Sequence, residues 1–306
     1  MKKKGLKLGT KLIIAFLGFG LVPLVLAAAA ALNNISVSSK KAEGALKSEA
    51  DTLISRIERN LFERYGDVQA FGLQEAFYDT KTWSTVGGKA KLVKTMNRYL
   101  ATYTPIYEMS LLIDLKGDLV AVTNVDHEGK PVDTSVFGTK NYSNQTWFKN
   151  AKSGKFLSGE AITGTWVDPV HYDKDFQSVF SGNGLLIGFA APVKDASGKL
   201  IGVYRNYARL EPIENIIQEG YKELQDSGLH RPTITVIDRS GKLILEYAPW
   251  KSNKKEIVYD SSKTLKEDWS SHPFVKLAMA GKSGSGEARD KVVGYVKSAG
   301  ALGYPG

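Results

Sequence analysis

The sequence contains no cysteine. That excludes a disulfide scaffold, a thiolate zinc site, an iron–sulfur cluster and a cysteine nucleophile. Histidine is scarce too: His127, His171, His230 and His272 stand far apart, without the short spacings of a metal-binding element. No metal site and no cofactor is therefore expected. The chain also lacks a P-loop, a G-x-G-x-x-G and a G-x-S-x-G, so neither a nucleotide-dependent enzyme nor a serine hydrolase is announced. Acidic residues are missing from the first eleven positions, where Lys2, Lys3, Lys4, Lys7 and Lys11 carry five of the nine net positive charges. The rest of the chain sets 36 basic residues against 32 acidic ones, too near balance for a nucleic-acid-binding surface.

What is present begins with an apolar run. Residues 12–32 (LIIAFLGFGLVPLVLAAAAAL) hold no charged or polar side chain. At about 1.5 Å per residue a helix of that length crosses a hydrocarbon core of about 30 Å, and Pro23 is tolerated in such a helix. The run predicts a transmembrane helix, with the lysine tail (1–11) in the cytoplasm and everything after Asn33 outside it. The alternative is a cleaved signal peptide, for which Ala27–Ala31 would supply small residues at the cleavage site. Beyond the run, Ala42, Leu46, Ala50, Leu53, Ile54, Ile57, Leu61, Val68 and Phe71 recur at steps of three and four. That spacing predicts a long amphipathic stalk helix over 33–75. A stripe of this length invites pairing with a second copy, so a homodimer is expected.

The period then shortens. A helix is expected over 89–102, ended by Pro105. Strands are expected over 109–114, 119–123, 184–192, 200–207, 233–238, 243–247 and 291–296. One pattern recurs three times between apolar segments: 114–119 (DLKGDL), 195–200 (DASGKL) and 238–243 (DRSGKL). Asp bonds backbone two residues ahead and Gly accepts a positive φ, so each reads as a hairpin turn. The carboxylate spacing of a calcium loop is missing from all three. A helix over 211–225, with Pro212 in its first turn, separates the strands into two groups. Pattern alone thus gives an α+β chain in which one long helix carries two tandem antiparallel-sheet modules.

The order of basic tail, membrane helix, long helix and sheet modules, together with 141–149 (NYSNQTWFK), 191–203 (APVKDASGKLIGV) and 294–306 (GYVKSAGALGYPG), resembles the double Cache sensor domain of bacterial chemoreceptors. The resemblance implies PAS-like modules, a membrane-distal one over 76–210 and a linking helix with a membrane-proximal one over 211–306. It implies a receptor in the inner membrane with its sensing region periplasmic or extracellular. It also implies that the chain is the sensing portion of a longer protein, whose output would be chemotaxis, a histidine kinase or a cyclic-dinucleotide enzyme. In amino-acid-sensing relatives, an Arg two residues before the Trp and an Asp on the strand after the Gly-Val pair hold the ligand. Here those positions are Gln145 and Tyr207.

A ligand site of this kind needs aromatic walls and a few placed polar groups. Tyr142, Trp147, Phe148, Trp166 and Tyr207 are the candidate walls. On the strand Gly202–Tyr207, residues 203, 205 and 207 share a face, which puts Arg205 in the site as a carboxylate clamp, with Asp168 as an acceptor. The opposite reading has Arg205 facing solvent and Trp147 packing the core. With Gln145 and Tyr207 in place of the charged clamps, the expected ligand is an anionic or polar small molecule. No catalytic residue is expected; the rival reading is an anchored hydrolase that uses Asp168 with Asp173 or Asp175.

Overall fold

A computed structural model of the chain describes Leu8 and residues 22–159, 162–180, 182–252, 254–288 and 291–305. Residues 12–21 of the expected span, like the lysine tail apart from Leu8, lie outside the described residues. Among the described residues no helix is long and apolar enough to cross a membrane.

The first element is α1 (Val22–Gly72), an unbroken helix of 51 residues, about 77 Å long at 1.5 Å per residue. It carries the last part of the apolar run directly into the stalk. Its exposure changes along its length. Leu24, Leu26, Leu32, Ile35 and Val37 are exposed, whereas Leu53, Ile57, Tyr65, Val68 and Phe71 are buried. Two short 3-10 turns (Glu75–Phe77 and Thr80–Ser84) lead into α2 (Val86–Thr102), which starts three residues earlier than its periodicity implies because Thr85 caps it by accepting from Gly88 N–H.

Next come β1 (Tyr107–Asp114), β2 (Leu119–Val122), the helical turn α3 (Ser135–Gly138), α4 (Thr146–Ser153), β3 (Trp166–Tyr172), α5 (Lys174–Val179), β4 (Leu185–Lys194) and β5 (Leu200–Ala208). The five strands form one antiparallel sheet in the order β2-β1-β5-β4-β3. Alternation along the strands sorts the side chains onto two faces. Tyr107, Leu112, Phe189, Ala191 and Tyr204 pack with α1 and α2. Met109, Leu111, Leu186, Ala190, Val203 and Tyr207 pack on the other face with Phe137, Trp147, Phe148 and Phe176.

The three D-x-x-G hairpins form as expected. Asp114 Oδ1 accepts from the N–H groups of Lys116 and Asp118 at 2.8 and 2.9 Å, and Asp195 and Asp238 repeat the pattern. Gly117, Gly198 and Gly241 all take positive φ. A fourth turn of the same kind, Asp126–Lys130, was hidden because no apolar strand follows it. Strand β3 was also not expected. Pro169 interrupts the apolar pattern there, yet Pro is permitted on an edge strand, and β3 is the edge of this sheet, with its register broken between Asp168 and His171.

Arg209 fixes the exit from the sheet, pairing with buried Glu108 and, at 2.7 Å, with Glu211. Helix α6 (Glu211–Asp226) follows and packs Ile213, Ile217, Tyr221 and Leu224 inward. Beyond it lie β6 (Ile234–Ile237) and β7 (Leu243–Tyr247), the helical turn α7 (Pro249–Ser252), α8 (Pro273–Met279), β8 (Gly284–Ala288) and β9 (Lys291–Tyr295). Among the described residues these strands form two separate antiparallel ribbons, β6-β7 and β8-β9. Strand β9 lies directly on α1: a Cβ on Gly294 would sit 2.4 Å from the Leu46 carbonyl carbon.

Candidate functional site

The residues singled out in the sequence converge on one face of the five-stranded sheet. Residues 203, 205 and 207 do share that face, and Arg205 points inward: only 2% of it is exposed. Its Nη1 donates to Asp168 Oδ2 at 2.5 Å. Its guanidinium carbon lies 4.5 Å from the centre of the Trp147 ring and 4.7 Å from that of Tyr207. Cation–π attraction of this kind strengthens when the cation is desolvated. The solvent-facing alternative for Arg205 is therefore wrong. Trp147 is buried in the core as that alternative held, and it lies over the guanidinium as well.

The remaining candidates stand around this pair. Trp166 Nε1 donates to Asp168 Oδ1 at 2.9 Å, so both oxygens of that carboxylate are engaged. Tyr142 and Phe148 form a second row behind Trp147, with ring centres 5.7 and 5.9 Å from it. The Tyr142 hydroxyl donates to the Phe137 carbonyl. Tyr207 stacks on Phe176 at 5.9 Å, and burial pushes its hydroxyl up to about 12. Gln145 lies at the N-cap position of α4.

Two members of the site escaped sequence reading. His171 sits one bulge beyond Asp168 on β3, its Nε2 3.5 Å from Arg205 Nη2 and its Nδ1 2.8 Å from the Pro169 carbonyl. Burial, and then the charge of Arg205, hold its imidazole below the ordinary histidine range. Gly188 on β4 leaves the space that the guanidinium occupies: a Cβ there would lie 2.5 Å from Arg205 Nη2. Both enter the site through the pairing of β3 with β4, for which the sequence carries no signal.

An open concave site was expected here, and the cluster is closed instead. The guanidinium and the rings fill the space between β3, β4, β5 and α4. Tyr142, Trp147, Phe148, Arg205 and Tyr207 are all buried, and Asp168, with 18% of its side chain exposed, stands at the rim. A cleft of about 310 Å³ lies elsewhere, against β7, lined by Leu245, Tyr247, Val258, Asp260, Lys263 and Trp269. The paired acids of the hydrolase reading are already in use: Asp173 caps α5 by accepting from Asp175 N–H and Phe176 N–H, and Asp175 pairs with Lys140. Among the described residues no group of three His, Asp or Glu side chains is placed to hold a metal ion.

Comparison of the sequence with family profiles finds no match, and comparison with curated proteins finds none. The fold does have relatives. The ligand-binding domain of the Campylobacter jejuni chemoreceptor Tlp3, solved with L-valine, aligns at a TM-score of 0.54 and 13% identity over 84% of this chain and 88% of that one. An extracellular ligand-binding receptor from Desulfohalobium retbaense gives 0.52 and 15%, over 81% of this chain and 36% of that one. The extracellular domain of a protein described as a histidine kinase gives 0.50 and 16%, over 83% and 85%. At such identities the likeness is one of fold alone: this chain shares the fold of these ligand-binding and extracellular domains.

Proposed function

We propose that this chain is the sensing part of a membrane receptor and binds a small organic molecule outside the cytoplasm, without catalysing a reaction. The observation that carries the reading is the buried Arg205–Asp168 pair, held between Trp147 and Tyr207 on a sheet with the fold of sensor domains. A desolvated guanidinium flanked by aromatic rings binds carboxylate or a similar planar acceptor with directional bonds. The ligand is an anionic or polar molecule rather than a simple α-amino acid, a choice supported by Gln145 and Tyr207 in place of the charged clamps of amino-acid-sensing relatives. The run 12–32 anchors the chain once in the inner membrane. The exposed apolar residues of α1 between Leu24 and Val37 support contact there with lipid and with a second copy of the helix. Chemotaxis is the favoured output, and a histidine kinase or a cyclic-dinucleotide enzyme would carry the same sensing region equally well.

The test is a thermal-shift screen of the full chain in mild detergent against organic acids, amino acids, amines and purines. A ligand at about 100 times its dissociation constant adds about 2.7 kcal/mol of apparent stability. Arg205→Ala should remove the shift given by the best hit, because a hydrogen bond to a charged group contributes about 1.5–3 kcal/mol. An unchanged shift in both Arg205→Ala and Trp166→Ala moves the site elsewhere, and tight binding of common amino acids overturns the ligand class.

A further inference from the structure

Arg205 is the most deeply placed charge of the five-stranded sheet, and its anionic partner comes from the protein itself. Asp168 Oδ2 lies 2.5 Å from Nη1. The guanidinium Nε, although buried, meets no acceptor among the described residues, so Arg205 has donor capacity to spare. Asp168 stands between this cation and the surface. It is also the last residue of β3 in register with β4 before the ladder breaks, pairing with Gly188, and pairing resumes only at His171 and Tyr172. The edge strand is therefore pinned to the centre of the sheet at its weakest point by one carboxylate, with the His171 ring beside it.

We propose that Asp168 is a built-in competitor for the anion seat on Arg205: a ligand carboxylate binds by taking the place of the Asp168 carboxylate, and the exchange releases β3 from β5. The inference rests on the sensing reading above and names the event by which that site responds. Charge balance favours exchange over addition. A second carboxylate brought beside Asp168 would repel it, whereas a one-for-one swap keeps the buried guanidinium neutralised. Asp168 loses little by leaving, because at the rim it regains water. Aromatic walls that already fit a guanidinium–carboxylate pair need not repack.

The experiment empties the seat and refills it, using sodium acetate as the probe and sodium chloride at equal ionic strength as the control. Asp168→Ala in the full chain leaves a buried guanidinium unpaired, and its Tm should fall by about 6 °C or more. Acetate should restore most of that loss in a saturable way, while wild type, in which tethered Asp168 holds the seat against an acetate that makes no further contacts, should not respond over the same concentration range. The double variant Asp168→Ala/Arg205→Met should show no acetate response. Hydrogen exchange of the β3 amides should stay faster than in wild type even with acetate bound, because acetate fills the seat without pinning the strand. If Asp168→Ala does not fold, Asp168→Asn, whose amide oxygen can keep the Trp166 bond, takes its place and must show the same acetate response. No acetate response in the single variant, an equal response in the double variant, or wild-type protection of β3 in the acetate-bound variant overturns the proposal. An empty ligand screen combined with acetate rescue would overturn the sensing reading alone. A screen hit that depends on Arg205, without acetate rescue, would overturn the exchange alone.

Discussion

Two regions of this molecule are built from the same hairpin and end differently. The strand, D-x-x-G turn, strand unit appears at Asp114, Asp195 and Asp238 with the same side-chain hydrogen bonds. Before α6, two of these hairpins and β3 join into five paired strands covered on both faces, and the central strand β5 buries Arg205 and Asn206. After α6, the third hairpin remains a two-stranded ribbon, as does β8-β9, and most of their residues are only partly buried. The difference teaches that the turn chemistry makes the hairpin and nothing larger. A sheet that can hold a charge away from water needs a strand with neighbours on both edges and packing on both faces, and a lone ribbon is marginal without such support.

The contrast is sharpest in the core. Phe189→Ala, at a fully buried position on β4, should destabilise the protein by about 3–5 kcal/mol. Val236→Ala on the half-buried ribbon strand β6 should lower stability by less than about 1.5 kcal/mol. Urea unfolding measures both, and equal losses would mean that the two regions are equally packed. Gly188→Ala comes next: its methyl would press on a guanidinium clamped between two rings, and a loss of about 1–3 kcal/mol is expected. Gly87→Ala, in α2 with open space around it, should instead stabilise by about 0.5–1 kcal/mol. A neutral Gly188→Ala would show that Arg205 moves freely.

The smallest effect is a pH dependence confined to the five-stranded sheet. The imidazole of His171 is held below its unfolded value by burial and by Arg205, so its contribution is complete above the unfolded value near 6.5 and is lost as pH falls below it. Tm should therefore fall more between pH 7 and 5 in wild type than in His171→Gln. Identical slopes would remove His171 from the cluster's electrostatics.

Much of this was legible before any coordinates. The 3.6-residue period gave α1 and α6, and the period of two gave β1, β5 and the face on which Arg205 lies. The remainder was hidden by composition. Strand β8 is Gly-Ser-Gly-Glu-Ala, with no apolar alternation, and exists because β9 pairs with it. Helix α4 opens Thr146-Trp147-Phe148, and its two adjacent aromatics show no helical spacing over so short a length. His171 and Gly188 belong to the site only through a pairing between β3 and β4, and cross-strand partners leave no mark in a linear pattern. The filling of the site by Arg205 itself was equally invisible, since it depends on the absence of one Cβ.

Helix α1 touches the later part of the chain at several heights: Leu46 lies against Gly294, Glu58 accepts from Ser298 Oγ and Gly300 N–H, and Tyr65 meets the edge of Tyr304. The same helix buries Val68 and Phe71 against the five-stranded sheet. It is thus a shared axle, and each part of the chain is keyed to it at an azimuth. One residue added between Leu46 and Glu58 would lengthen the axle by only about 1.5 Å but turn one key relative to the other by about 100°. Along α1, length is therefore also phase.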